Sequence, residues 1–419
     1  MSKRLQGEFE TPGDKSISHR IALMSLLAYG RCAVSNYSTA QDCITTLQAV
    51  RSLGGSAAVE DGVVAFEGLG GKLRDSVEVE CGNSGTTMRL LMGILAGVQG
   101  RFSLVGDESL MKRPMERVAK PLRQMGGVLD CGKDGTPPVR IVGARLAGVR
   151  YMLPVPSAQL KSAVLLAATR ADGATRLFEP VKSRDHTERL LVMCGARIHE
   201  DAGSWIVKKS DLHLPAALRI PGDPSSAAFL LGCAALTPGS EVTAKAILLN
   251  TTRIRYLDKF EQMGIDVQKK QRGELPEPWG DVTVTYSDRL RPVTITANEM
   301  PLIIDEIPIL VLLATQAHGV SVFQDIRELR IKESDRVSAL ASELGKLGAH
   351  VEILGNDMIV RGPRVFQFPD EMHSFGDHRI AMTLAVACFA AGMPMNIDNL
   401  SCFAVSYPNF LATMMRLTE

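Results

Sequence analysis

Apolar residues recur along this chain in six similar segments, each of which follows a polar or Gly/Pro turn and ends near a glycine. Apolar runs of this length, bounded in this way, predict buried helices. The segments are "PGDKSISHRIALMSLLAYG" from Pro12, "CGNSGTTMRLLMGILAG" from Cys81, "VPSAQLKSAVLLAATRADG" from Val155, "PGDPSSAAFLLGCAALTPG" from Pro221, "IDEIPILVLLATQAHG" from Ile304 and "FGDHRIAMTLAVACFAAG" from Phe375.

A second pattern, a glycine turn followed by two short stretches of alternating polarity, predicts a β-hairpin after a helix. It begins at Leu53, Met125, Met193, Met263 and Leu347, which are separated by 72, 68, 70 and 84 residues. Together the two patterns predict six β-α-β-α-β-β units that account for the whole chain.

Three units per domain is the natural division of such a chain. We expect an N-terminal lobe over residues 14–220 and a C-terminal lobe formed by residues 1–13 and 221–419, because a strand precedes the first unit. The chain would then cross twice, near 12–14 and 219–223, and two neighbouring crossings form a hinge. The predicted fold class is α/β, with two lobes of three βαβαββ units each, like inside-out α/β barrels, joined by a two-stranded hinge.

Composition limits the possible partners. Lys and Arg number 47 against 46 Asp and Glu, which gives no electrostatic argument for nucleic acid or a membrane. The eight cysteines are scattered without metal-ligand spacing, and the N-terminus lacks the apolar core of a secretory signal. The apolar stretch from Ile380 to about Met395 is too short for a membrane span. We therefore expect a cytoplasmic protein, and we expect it to be a monomer.

The helix openings are candidate anion sites, because a helix N-terminus carries unpaired N–H groups and a partial positive charge. Simple capping explains any one opening equally well. Nearby cations favour the interpretation that these openings bind anions. The cations that lie in or near the openings are Lys15, Arg20, Arg113, Arg184 and Arg379. The run "RIKESDRVSAL" adds Lys332, Glu333 and Arg336 near one helix face, although a solvated charged face remains an alternative there. "GDKS" lacks the earlier glycine of a phosphate-binding P-loop, and no Ser/His/Asp elbow is present.

The motifs "PGDKSISHR", "GNSGTTMR", "DESLMKRPMERV", "SRDHTERLL", "LRIKESDRV" and "FGDHRIAM" together resemble the enolpyruvyl transferases. The resemblance runs from about Gly7 to Pro408. It is nearest to the branch that transfers the carboxyvinyl group of phosphoenolpyruvate to the 5-hydroxyl of shikimate 3-phosphate, a step in the formation of chorismate and the aromatic amino acids. It implies two lobes that close on these two small molecules, with no cofactor.

The resemblance also implies roles for individual residues. The shikimate 3-phosphate site would comprise Lys15, Ser16, Arg20, Ser157, Ala158, Gln159, Arg184, Asp305 and Lys332. The phosphoenolpyruvate site would comprise Lys15, Asn83, Gly85, Arg113, Gln159, Glu333, Arg336 and Arg379. Catalytic roles fall to Asp305, Glu333, Lys15 and His378.

The implied chemistry is an addition followed by an elimination. Asp305 would accept the proton of the 5-hydroxyl while an acid protonates the methylene of phosphoenolpyruvate. Two neighbouring cations should lower the pKa of Glu333, so either Glu333 after desolvation or Lys15 is the acid. The substrates carry about six negative charges. Seven cations against Asp305 and Glu333 suggest that, without ligands, like charges hold the lobes apart.

Some positions depart from the usual pattern. Val405 stands where many relatives carry a lysine, and Leu90, Ala158 and Arg184 are typical of a divergent bacterial subgroup. Gly85 leaves space beside the phosphoenolpyruvate site, so we expect glyphosate to enter and inhibit. The alternatives are a UDP-N-acetylglucosamine enolpyruvyl transferase, which characteristically has Lys-Asn at the first motif and a loop cysteine, and an RNA 3'-end-processing relative.

Overall fold

The computed structural model describes residues 4–367 and 369–418. The chain divides into two units. One unit spans Gly13–Ile220, and the other combines the segment up to Pro12 with the chain from Pro221 onward. In the described part, no helix has the length and apolar character needed to cross a membrane.

The segment before Gly13 contains strand β1 (Gln6–Phe9). The helices of the Gly13–Ile220 unit are α1 (Lys15–Met24), α2 (Gln41–Ser52), α3 (Gly85–Ala96), α4 (Glu116–Gln124), α5 (Ala158–Ala168) and α6 (His186–Met193), with 3-10 turns at Leu110–Lys112 and Lys133–Gly135. Its strands are β2 (Ala28–Tyr29), β3 (Arg31–Ser35), β4 (Ser56–Glu60), β5 (Val63–Glu67), β6 (Val77–Glu80), β7 (Arg101–Val105), β8 (Val128–Cys131), β9 (Val139–Val142), β10 (Arg150–Met152), β11 (Ala174–Phe178), β12 (Arg197–Asp201), β13 (Ser204–Lys208), β14 (Leu212–His213) and β15 (Ala217–Arg219).

The helices from Pro221 onward are α7 (Pro224–Leu236), α8 (Arg255–Gln262), α9 (Met300–Ile303), α10 (Ile307–Ala314), α11 (Arg336–Lys346), α12 (His378–Ala391) and α13 (Phe410–Arg416), with 3-10 helices at Ile326–Ile331 and Leu400–Val405. The strands are β16 (Glu241–Leu248), β17 (Val267–Gly273), β18 (Trp279–Thr285), β19 (Thr294–Ile295), β20 (Gly319–Phe323), β21 (His350–Leu354) and β22 (Asp357–Gly362).

Five four-stranded sheets share one topology, in which a parallel pair is extended by an antiparallel hairpin. Their orders are β15-β3-β5-β4, β6-β7-β9-β8, β10-β11-β13-β12, β1-β16-β18-β17 and β19-β20-β22-β21. The parallel pair requires a helical crossover, and α3, α5 and α10 occupy that place within their units. The sheets are open, and the predicted mixed α/β fold of repeated βαβαββ units is confirmed.

The segment around α12 departs from this pattern. In the described residues it forms only isolated bridges, a parallel one between Met372 and Ile397 and an antiparallel one between Leu5 and Thr418. The sixth unit therefore keeps its buried helix but has no four-stranded sheet in the part of the chain that the structure describes.

Two sheets take their first strand from a distant part of the chain. Strand β1 pairs in parallel with β16, with Gln6 opposite Glu241, and β15 pairs in parallel with β3, with Ala217 opposite Ala33. The chain thus begins in the unit that contains Pro221, completes the Gly13–Ile220 unit, and returns after β15.

The six predicted apolar segments form helices α1, α3, α5, α7, α10 and α12, and almost all of their residues are buried. Five begin with a side-chain cap, from Asp14, Ser84, Ser157, Asp223 and Asp377. Helix α10 has Pro308 in its first turn, where the missing N–H costs nothing. Each cap satisfies an N–H group that burial would otherwise leave unpaired.

Helices α3 and α5 approach so closely that Gly93 leaves no room for a side chain. A Cβ atom on Gly93 would lie 2.1 Å from the carbonyl oxygen of Ala163 and 2.7 Å from its Cα. Because backbone atoms cannot rotate away, the glycine is required for this packing.

We expect Gly93→Ala to lower the free energy of unfolding by at least about 2 kcal/mol, a typical cost of overpacking a core. Urea denaturation of the purified chain measures it. Gly345→Ala in α11 is the control, because nothing lies within 4 Å of its added Cβ and alanine should gain up to about 1 kcal/mol in a helix. Equal effects of the two changes would contradict this account.

Candidate active site

The start of α1 brings Lys15 into an ion pair that the sequence did not predict. The Lys15 Nζ lies 2.9 Å from Asp42 Oδ2 on the first turn of α2, and both side chains are largely buried. Asp14 caps the helix by accepting a hydrogen bond from the backbone N–H of Ile17 at 2.8 Å. Lys15 is therefore held at the opening with part of its charge compensated.

Arg20 gathers three segments of the Gly13–Ile220 unit around its buried guanidinium. Its Nη1 donates to the Ser16 carbonyl at 2.9 Å, so the predicted shared helix face is present. Its Nε donates to Thr187 Oγ1 on α6 at 2.7 Å, and its Nη2 donates to Ser162 Oγ on α5 at 2.9 Å. These three hydrogen bonds hold the guanidinium in place at the opening of α1.

The start of α5 carries three of the predicted site residues, which are Ser157, Ala158 and Gln159. Ser157 caps the helix by accepting from the Leu160 N–H, and Ala158 is the first helical residue. Arg184 lies just before α6, whose Thr187 binds Arg20. The structure thus brings Ser16, Arg20, Ser157 and the α6 start into one part of this unit.

Gln159 joins α5 to α3. Its Nε2 donates to Thr86 Oγ1 at 2.9 Å, and its Oε1 accepts from Arg89 Nη1 at 2.6 Å. Arg89, which the sequence analysis did not assign to the site, also lies beside Gly85: a Cβ on Gly85 would be 2.8 Å from Arg89 Nη1 and 3.6 Å from Arg113 Nη1. Two guanidinium groups therefore flank the glycine that opens α3.

Asn83 orients Arg113 toward the same helix opening. The Asn83 Oδ1 accepts from Arg113 Nη2 at 2.6 Å, and its Nδ2 donates to Asp107 at 2.7 Å. Arg113 also donates to Ser109 Oγ at 3.2 Å. The predicted residues Asn83, Gly85, Arg113 and Gln159 thus occupy one neighbourhood of the unit.

A buried hydrogen-bonded chain connects the openings of α1 and α3. His19 Nδ1 lies 2.6 Å from Thr46 Oγ1, which lies 2.6 Å from Thr87 Oγ1, and Thr87 donates to Ser84 Oγ at 2.7 Å. Burial lowers the pKa of His19 to about 3, so the imidazole is neutral. Thr46 Oγ1 also donates to the Asp42 carbonyl at 3.1 Å, so this chain is attached to the first turn of α2 as well.

The second cluster lies in the unit from Pro221 onward and is centred on Arg336, which is 1% exposed. Its Nε donates to Asp377 Oδ2 at 2.8 Å, its Nη2 donates to Glu333 Oε2 at 2.6 Å, and its Nη1 donates to Asp305 Oδ1 at 3.5 Å. Asp377 also caps α12 by accepting from the Arg379 N–H. A single guanidinium therefore binds three carboxylates from three segments.

Asp305 is held by a second arginine as well. Arg379 Nε lies 3.4 Å from Asp305 Oδ1, and Arg379 Nη1 donates to the Asp305 carbonyl at 3.1 Å. His378, the first residue of α12, is buried in the same cluster. The structure thus brings Asp305, Glu333, Arg336, His378 and Arg379 together, as the motifs suggested.

The ionisation of this cluster follows from its charges. Burial alone would raise the pKa of Glu333, but Arg336, His378, a backbone hydrogen bond and Lys332 together outweigh it and hold that pKa well below the ordinary value. The pKa of Asp377 is lowered in a similar way, because Arg336 and His378 together outweigh burial. Burial lowers the pKa of Lys332 despite the nearby Asp305.

The charges of this cluster are more evenly balanced than the sequence suggested. Its three cations are Lys332, Arg336 and Arg379, and its three carboxylates are Asp305, Glu333 and Asp377, so these six groups sum to a formal charge of zero. The count made on the sequence set seven cations against Asp305 and Glu333 and left out Asp377 here and Asp42 beside Lys15.

Several partners could not be found from the sequence. Asp42 and Thr187 lie far along the chain from Lys15 and Arg20, and no local pattern pairs them. Asp377 had a signal, because an Asp directly before an apolar helix is a typical cap, but the cap does not indicate its bond to Arg336. Val405 ends the 3-10 helix Leu400–Val405 and supplies no cation there.

The structure adds no sign of metal or thiol chemistry among the described residues. No group of three or more His, Cys, Asp or Glu is arranged to hold a metal ion in that part of the chain. The eight cysteines are free, and Cys43, which contacts the Lys15 carbonyl, is fully buried. Burial raises the pKa of the Cys32 thiol to about 11.

Comparison with solved structures defines the class of protein. The enolpyruvyl transferase NikO from Streptomyces tendae shares the fold with a TM-score of 0.79 over 99% of this chain and 96% of its own, at 19% identity. The EPSP synthase from Acinetobacter baumannii is closer, with a TM-score of 0.88 and 36% identity over 100% of this chain and 97% of its own. The fold is therefore that of the enolpyruvyl transferases.

Sequence comparison narrows the class to a family. The family model for EPSP synthase (3-phosphoshikimate 1-carboxyvinyltransferase) matches residues 1–414. The 3-phosphoshikimate 1-carboxyvinyltransferase of Geobacillus kaustophilus is 44% identical over 99% of this chain and 98% of its own length, and that of Bacillus subtilis is 40% identical over the same shares. The chain belongs to the EPSP synthase family, and the resemblance found in the motifs is confirmed.

We expect Arg336→Met to lower the free energy of unfolding by about 3–5 kcal/mol near neutral pH, because it leaves buried carboxylates without a partner. The lowered pKa values of Glu333 and Asp377 stabilise the wild type above the unfolded carboxyl range, about pH 4, and this stability is lost only as the pH falls further. In the variant, burial raises these pKa values instead. Its deficit should shrink from about pH 7 to pH 5.

Urea denaturation at the two pH values measures this change. Arg330→Met is the control, because the Arg330–Asp335 pair is exposed and such pairs contribute at most about 1 kcal/mol. The description of Arg336 as the buried partner of three carboxylates would be contradicted by a loss of unfolding free energy as small as that of the control. A loss that grows on acidification would contradict it as well.

Proposed function

We propose that this chain transfers the carboxyvinyl group of phosphoenolpyruvate to the 5-hydroxyl of shikimate 3-phosphate and releases phosphate. The observation that carries the proposal is the position of Gln159. It lies in the first turn of α5, whose cap is Ser157, and it bonds to Thr86 and Arg89 of the helix that begins at Gly85. Its amide thus joins the openings of α3 and α5, which supports neighbouring sites for two anionic substrates.

Shikimate 3-phosphate is proposed to bind at the α1 and α5 openings. Its phosphate carries nearly two negative charges, which Lys15, Arg20 and Arg184 complement. Ser16 and Ser157 offer hydroxyl groups, and the N-terminus of each helix adds its partial positive charge. Asp305 and Lys332 of the second unit are proposed to contact the ring hydroxyl groups.

Phosphoenolpyruvate is proposed to bind at the α3 opening, where Arg113 and Asn83 lie beside Gly85. A guanidinium binds a carboxylate or phosphate through two parallel hydrogen bonds, so Arg113, Arg336 and Arg379 suit its two anionic groups. Gln159 donates from its amide to one of them. Lys15 serves both substrates.

In the proposed reaction, Asp305 accepts the proton of the 5-hydroxyl as its oxygen bonds to the central carbon of phosphoenolpyruvate. An acid protonates the methylene carbon, which gives a tetrahedral adduct. Loss of phosphate and of a methyl proton then yields the carboxyvinyl ether. Ionised carboxylates stabilise the positive charge that develops on the central carbon.

The geometry favours Lys15 as the acid. Arg336 holds Glu333 ionised, since its Nη2 donates to Glu333 at 2.6 Å and the pKa of that carboxyl is lowered. An ionised carboxylate has no proton to give. The bond of Lys15 to Asp42 fixes the direction of its ammonium group, so we assign protonation of the methylene carbon to Lys15 and charge stabilisation to Glu333 and His378.

We propose that the enzyme acts as a monomer in the cytoplasm and that glyphosate, a small phosphonate with a carboxylate, competes for the phosphoenolpyruvate site. Free, buried cysteines support a reducing compartment. The arginines beside Gly85 support a site for a second small dianion.

We expect Asp305→Asn to lower kcat by at least about 100-fold, the usual contribution of a general base, because an amide cannot accept the hydroxyl proton. Phosphate release from phosphoenolpyruvate with shikimate 3-phosphate measures it. Asp258→Asn is the control, since Asp258 pairs with Arg255 on the surface of α8. Wild-type turnover with UDP-N-acetylglucosamine and none with shikimate 3-phosphate would overturn the proposed substrate.

We expect Gly85→Ala to raise the glyphosate concentration needed for half-inhibition by at least roughly tenfold, equivalent to about 1.4 kcal/mol. The added Cβ lies 2.8 Å from Arg89 Nη1 and displaces a guanidinium that holds Gln159. Inhibition curves at fixed substrate concentrations measure it, with Gly345→Ala as the control. Unchanged inhibition would refute the steric role of Gly85.

A further inference from the structure

A buried lysine on α5 lies directly behind the proposed shikimate 3-phosphate site. Lys161 is fully buried, and its Nζ lies 2.8 Å from Glu179 Oε2 and 2.8 Å from Glu188 Oε1. It also lies 3.4 Å from the Ser183 carbonyl oxygen. The ammonium thus donates to Glu179 and to the Ser183 carbonyl and forms an ion pair with Glu188. All three residues belong to one segment, residues 179–188.

That segment carries residues of the proposed site between its two attachment points. Arg184 follows Ser183 directly, and Thr187, which receives the Arg20 Nε bond, precedes Glu188. Glu179 stiffens the segment further, because its Oε1 accepts from both the N–H and the hydroxyl of Ser183. Fixing Glu179, Ser183 and Glu188 therefore fixes the backbone on both sides of Arg184.

Stability alone does not explain this arrangement, because burying its charges is costly. One ammonium and two carboxylates are removed from water, and a buried ion pair often contributes less stability than apolar residues of the same size. Burial raises the pKa of Glu188 in spite of Lys161. What the ions supply is attachment, because one buried ammonium on α5 binds two carboxylates and a carbonyl oxygen of the same segment.

We propose that Lys161 is a positioning residue for shikimate 3-phosphate: it latches residues 179–188 onto α5 so that Arg184 and Thr187 are ordered before the substrate binds. The inference rests on the proposed function for the identity of the ligand. The latch itself is a property of the unliganded chain. A site held ready in this way avoids the ordering cost at the moment of binding.

The main test is Lys161→Met, with Lys259→Met as a matched control. Lys259 is also a buried lysine with a carboxylate partner, Glu299, at 2.7 Å, and it donates to the Thr294 carbonyl, but it lies in the other unit. Both variants should lose stability. Only Lys161→Met should raise the KM for shikimate 3-phosphate, by about 10- to 100-fold, the usual effect of losing a supporting contact behind a ligand-binding residue, while the KM for phosphoenolpyruvate changes less than about twofold.

Glu179→Gln is a second variant for the case that Lys161→Met does not fold. Each oxygen of Glu179 accepts a hydrogen bond, so an amide nitrogen at either place meets a donor and loosens the latch. We expect an intermediate rise in the same KM. If neither variant raises it more than Lys259→Met does, Lys161 is structural only and the proposal is wrong.

Hydrogen exchange of the unliganded chain tests the latch without any substrate. Amides of residues 180–187 should exchange faster in Lys161→Met than in the wild type, and no such change should occur in Lys259→Met. Unchanged protection of this segment would overturn the proposal even if catalysis fell. If the wild type is inactive with shikimate 3-phosphate while Lys161→Met still exchanges faster than the wild type in this segment, the proposed function is refuted and the latch is supported.

Discussion

The structure depends on one constraint, which is that a cation buried without a partner is too costly to keep. Lys15, Lys161 and Arg336 are each largely or fully buried, and each is held by at least one carboxylate. These three cations are therefore parts of ion-paired networks. The carboxylates fix the direction of their ammonium and guanidinium groups before any ligand is present.

The fold was predictable where its signals are local. Cap residues, apolar runs and glycine turns lie within a few residues of one another, so the six buried helices and the repeated hairpins follow from the sequence. The pairing of β15 with β3 does not, because three residues at the end of a unit carry no pattern that selects a partner about 180 positions earlier. The sequence also did not predict that the described residues around α12 form no four-stranded sheet, since α12 begins with the same kind of opening as the other helices.

The candidate site was likewise predictable only where its signals are local. The motifs around Lys15, Gly85, Gln159, Asp305 and Arg379 mark where ligand groups lie, because each belongs to a helix opening. They do not show which neutral or charged group each one contacts. Asp42, Thr187 and Arg89 become visible only when the chain is folded, and Asp377 changes the charge of a whole cluster although its position was known.

The hydrogen-bond acceptors of the arginines indicate which of them are suited to bind an anion and which are suited to keep carboxylates ionised. Arg113 donates to carbonyl, amide and hydroxyl oxygens, which leave its positive charge available to an anion. Arg336 instead donates to three carboxylates. Such a cluster attracts a dianion less strongly but keeps carboxylates ionised in a dry environment, where they can accept a proton or stabilise a cation. The group around Arg113 is therefore suited to bind an anion, and the cluster around Arg336 is suited to proton transfer and charge stabilisation.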